Sequence, residues 1–152
     1  MVLRVNKIKI ALFIFFIISQ ILPGQPDSDR EFWQSLNEQE KVIFLQGIYA
    51  GLSKGLDVIG EEAARQKARD PFWTPPFALE NSTNRLKEYY SEKIGFDYTT
   101  IAKLLDAFYS NPDNAHIDIL YALRVLMLYQ NGQQRRANEL LLLKQKEFLR
   151  GR

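Results

Sequence analysis

The chain has 152 residues, of which 46% are hydrophobic and 25% charged, with no cysteine and a formal net charge of +2. The first 24 residues hold Arg4, Lys7 and Lys9 and no acidic residue, so the remaining 128 carry a formal charge of −1. That balance takes away the electrostatic footing for nucleic-acid binding, the lack of cysteine excludes disulfides, and 128 residues suit a single domain with one core.

Residues 1–24 read as a secretory signal peptide. Arg4, Lys7 and Lys9 precede the nine-residue apolar run "IALFIFFII", and Ser19, Gln20 and the turn-forming "PGQP" follow it. A bilayer span needs about 20 apolar residues, more than this run offers. Cleavage is expected after Gly24, leaving residues 25–152 as a single exported helical domain, periplasmic or extracellular. The alternative is an uncleaved anchor, the one case in which the sequence implies membrane contact.

The next stretch, "NEQEKVIFLQGIYAGLSKGLDVIG", opens with Asn37 and Glu40 at capping-box spacing. At 100° per residue Val42, Phe44, Leu45, Ile48, Tyr49, Leu52, Leu56 and Ile59 fall on one arc of about 160°, which is a helical period. The segment "GLSKG" fits the Gly-x-Ser-x-Gly pattern of esterases, but a nucleophile elbow needs a strand before its serine. Ser53 stands inside a helix, on the side of Gln46 and Asp57, so it is not read as a nucleophile. Gly47, Gly51 and Gly55 line one edge of the apolar arc. Three helix-interior glycines cost roughly 3 kcal/mol relative to alanine, which calls for a compensating contact. The expected one is a second helix of the same chain crossing there; the alternative is a shallow groove for a partner's helix or loop. Glu40, Lys41, Lys54 and Asp57 argue against a transmembrane helix pair.

A charged helical continuation, "EEAARQKARD", leads to "PFWTPPFALENS", where Pro71, Pro75 and Pro76 forbid a regular helix. Phe72, Trp73 and Phe77 make this loop apolar. It is expected to fold back over one end of the core; exposed, its rings would form a contact patch. Further helices are expected over residues 82–94, stopping near Gly95, and over "TTIAKLLDAFY", with Ile101, Leu104, Leu105 and Phe108 inward. The cluster "SNPDN" is a turn. Then "IDILYALRVLMLYQNG", apolar nearly all round, reads as a central buried helix closed by Asn131 and Gly132. A last helix carries Leu140, Leu141 and Phe148 toward the core and Leu143 away from it. The fold expected is all-α, a small orthogonal or mixed bundle of about five helices.

Arg124 is the charge in the body of the buried helix and needs a carboxylate, whether Asp106, Asp118 or another, because desolvating a lone guanidinium is costly. The alternative is an anchor for an anionic ligand. His116, the single histidine, lies near Asp113 and Asp118; loop hydrogen bonding is expected of it, with a general base or a weak metal site as alternatives. No cofactor and no metal is implied.

The segments "FWQSLNEQEKVIFLQGIYAGL" and "LLDAFYSNPDNAHIDILYALRVL" resemble a pattern of small exported bacterial all-helical proteins of unknown function. The layout is also distantly similar to the immunity proteins of type VI secretion effectors, periplasmic helical bundles with a Gly-rich first helix and a late turn-helix unit. The resemblance implies a helical bundle that binds a protein and no catalytic residues. Two functions are therefore expected in competition. One is a non-enzymatic interaction module, inhibitor-like, using the glycine groove, the aromatic loop or the leucine-rich last helix. The other is a small ligand-binding protein or enzyme built on a pocket of His116, Asp106 and Arg124.

Overall fold

The structure is a computed structural model that describes residues 28–150; the expected signal peptide, residues 1–24, lies outside the described residues. Among these the regular elements are all helical. Six α-helices run in order, α1 Asp29–Ser35, α2 Glu38–Arg69, α3 Phe77–Lys87, α4 Tyr98–Ser110, α5 Ile119–Gln130 and α6 Gln134–Arg150, with a 3-10 turn at Pro112–Asn114.

α1 is the helix that periodicity misses. With 7 residues it is too short to show a repeat, and its signal is the cap: the Ser28 side chain accepts from the Glu31 amide. α2 starts on the expected capping box, with Asn37 Oδ1 accepting from the Glu40 amide at 2.9 Å and Glu40 Oε2 from the Asn37 amide at 2.8 Å. Its 32 residues reach roughly 48 Å, and it ends just ahead of Pro71. By length and composition alone α2 could cross a membrane; yet Lys54 and Asp57 lie inside it and Leu45 and Tyr49 enter the core.

The third helix differs from expectation at both ends. It begins at Phe77 rather than near Ser82, because the Pro76 carbonyl takes the Leu79 and Glu80 amides and so starts the helix. It ends at Lys87 because tertiary partners claim the carbonyls beyond it. The Tyr49 hydroxyl donates to Tyr89 O at 2.9 Å and Asn131 Nδ2 donates to Tyr90 O at 2.8 Å. Gly95, at φ +58°, then turns the chain toward α4.

α5 packs on α4 and α6, α4 packs on α2, and α3 lies on α2. The central position expected of α5 holds: Ile119, Ala122, Leu123, Arg124, Val125, Met127 and Leu128 are all buried. Gly132, at φ +80°, follows its end. Leu140 and Leu141 pack on the core as expected, and Leu143 is exposed. Phe148 does not enter the core: it is partly exposed and stacks on His116, with ring centroids 3.8 Å apart.

Two phenols are sunk in this core. Burial pushes the Tyr49 hydroxyl well above its ordinary value, helped by Tyr90 and Tyr98, and burial does the same to Tyr109 beside Asp29 and Asp118. Both folded-state values lie above the unfolded value near 10, so the unfolded chain ionises first as pH rises. Their contribution is complete below about pH 10 and lost above it. Urea midpoints should therefore fall between pH 9 and 11, and less steeply in Tyr109→Phe.

Candidate functional site

His116, Asp106 and Arg124 do not converge. Arg124 on α5 is clamped by Glu88, just past α3, with Nε and Nη2 each 2.6 Å from Oε2. The side chains retain only 10% and 13% exposure, and Arg136 holds the other Glu88 oxygen. Pairing with a carboxylate was expected of Arg124; the partner is Glu88 rather than Asp106 or Asp118, and Glu88 is shared with Arg136. Asp106 accepts from Trp33 Nε1 at 2.8 Å and Lys41 Nζ at 2.7 Å. His116 stacks on Phe148 and lines a separate cavity of about 610 Å³ with Asp29 and Asp118. Both of those carboxylates are engaged, accepting the Ile119 and Tyr121 amides at the start of α5. The His116 Nε2 is buried without a hydrogen-bond partner among the described residues.

Ser53 is half-buried rather than solvated, because Tyr90 folds over that side of α2 and its hydroxyl lies 3.1 Å from Ser53 Oγ. The partner of the Ser53 hydroxyl is that phenol, with either oxygen able to donate. Ser53→Ala should cost no more than about 1 kcal/mol, read by thermal unfolding.

The glycine stripe is the clearest correction. A Cβ built at Gly47, Gly51 or Gly55 would meet nothing within 4 Å. Among the described residues no second backbone crosses α2 there; α4 packs on α2, and Tyr90, Phe96 and Tyr98 gather around Tyr49 instead. The face is open, with exposed Ile43 and Val58 continuing it toward either end. The aromatic loop is corrected in the same sense. Phe72 is 93% and Phe77 82% exposed, and only Trp73 is half-buried. The loop does not cap the core because α3, which follows it directly, lies along α2 and leaves the rings at the helix ends.

No protein family, curated protein or solved structure matches the chain. The surface itself must therefore carry the reading. Beside the loop, α2 and α3 enclose a mainly apolar cleft of about 650 Å³ walled by Leu56, Ile59, Ala63, Pro75 and Leu79, with Glu80 and Lys87 on its rim. Sequence reasoning missed this cleft. It also missed Glu88 and the Trp33–Asp106–Lys41 group, whose members are 36 or more residues from their partners and share no local pattern.

Proposed function

We propose that the protein is an exported, non-enzymatic helical bundle that binds a protein partner, and that the partner's helix or loop seats on the α2 face of Gly47, Gly51 and Gly55. The observation that carries this reading is the empty space over all three glycines. Their cost of roughly 3 kcal/mol relative to alanine has no compensation inside the described residues. A face without side chains lets a second backbone approach closely, and Ile43 and Val58 supply apolar contact at its margins. The distant resemblance of layout to type VI immunity proteins makes a secreted effector the first class of partner to try.

Gly51→Ala should raise stability by up to about 1 kcal/mol, because propensity is regained and nothing is struck. Gly51→Leu should melt no lower than the parent. Capture of the partner from an envelope fraction should nevertheless fail with Gly51→Leu, since the leucine fills the seat. A partner retained equally by parent and Gly51→Leu defeats the proposal.

A further inference from the structure

The rings at the far end of α2 go beyond that reading and do not depend on it. We propose that the loop between α2 and α3 docks on an anionic lipid bilayer, with Phe72, Trp73 and Phe77 entering the interfacial layer and Lys67 and Arg69 meeting lipid phosphates. The backbone that carries the first two rings is held in place. Asp70 Oδ1 accepts the Phe72 amide at 2.9 Å, its carbonyl accepts the Trp73 amide at 3.0 Å, and three prolines restrict the rest of the loop. The backbone turn that presents Phe72, and the helix start that presents Phe77, are therefore already formed in the free protein. Single exposed apolar residues are ordinary, but Phe72 and Phe77, both strongly exposed within six residues of chain that also carry half-buried Trp73, mark an interaction surface.

Charge decides which kind of surface. Lys67 and Arg69 are exposed on the last turn of α2 and make no ion pair among the described residues. The carboxylate beside them, Asp70, commits its Oδ1 to the turn, so two cations face one carboxylate there. Cations next to aromatic rings in the connection between two helices suit a layer in which phosphates lie above hydrocarbon, where lysine and arginine stems reach up and phenyl rings reach down. The apolar cleft opens at the same end, lined by Thr74 and Pro75 of the loop itself, which continues the apolar surface inward.

Trp73 provides the readout in the full chain, because the other tryptophan, Trp33, is fully buried and residues 1–27 contain none. Vesicles of phosphatidylglycerol and phosphatidylcholine with brominated acyl chains should quench Trp73 emission at least about two-fold relative to unbrominated vesicles. Trp73→Phe, which keeps Trp33 alone, should show no quenching. Phe72→Ser/Phe77→Ser, both at exposed positions, should keep the helical circular dichroism and lose most of the effect. Lys67→Gln/Arg69→Gln should weaken it on vesicles with phosphatidylglycerol and leave it unchanged on phosphatidylcholine alone. Gly51→Leu should quench as the parent does, so this test and that of the glycine face fail separately. Equal Trp73 emission with brominated and ordinary lipid overturns the proposal, as does quenching that survives Phe72→Ser/Phe77→Ser. Crosslinking of the tip to a protein, with bromine leaving Trp73 untouched, likewise overturns it and assigns the rings to a protein contact.

Discussion

Glu88→Gln should destabilise the protein by about 3 kcal/mol, the cost of leaving a largely buried guanidinium without its counter-ion. Glu88 serves two arginines from two helices, Arg124 on α5 and Arg136 on α6, and sits at the point where the chain leaves α3. The two contributions are unequal. Arg136 is half-exposed, with 51% of its side chain accessible, so Arg136→Gln should cost less than about 1 kcal/mol. Replacing the inner pair together, Glu88→Leu with Arg124→Met, should recover most of the loss, because the desolvation penalty leaves with the charges. Urea unfolding of the three variants separates these cases, and amide exchange in residues 88–97 should rise in Glu88→Gln. A loss below about 1 kcal/mol in Glu88→Gln would mean that Arg124 finds another acceptor.

Trp33→Ala should cost about 3–5 kcal/mol, as large aromatic truncations in a closed core do. The indole is fully buried, contacts Phe44 at a centroid distance of 6.3 Å and lies under Lys41 Nζ at 5.3 Å. Its N–H donates to Asp106 on α4. α1 has only 7 residues, too few to persist unaided, so its attachment rests on Trp33, on the Phe32–Phe44 edge contact and on the Asp29 bond to Ile119. Trp33→Phe keeps the apolar body and gives up one hydrogen bond to a carboxylate, for about 1–2 kcal/mol. Unfolding midpoints of both variants, together with loss of amide protection in α1 alone at low denaturant, test this division. If Trp33→Ala and Trp33→Phe are equally unstable, the hydrogen bond outweighs the packing.

What could be read from the residues is what depends on neighbours in the chain. The capping box of Asn37 and Glu40, the apolar arc of α2, the all-round apolarity of α5 and the glycine at its end are local patterns, because helix periodicity and backbone caps act over three or four residues. The all-helical class followed from them. The stripe of Gly47, Gly51 and Gly55 was equally visible, but its occupant was not, since an absent side chain shows that room exists and nothing of what fills it. The rings of Phe72 and Phe77 posed the same problem: apolarity implies a contact, and only the course of α3 along α2 decided that the contact is not with the described core. Arg124 announced a need for a carboxylate, and Asp106 and Asp118 were the ones in view; nothing local singled out Glu88. The choice fell to Glu88 because the chain departs from helix after Lys87, drawn away by Tyr49 and Asn131. Bonds spanning some 40 residues follow no sequence period, and they set which charges meet, which faces close and which stay open.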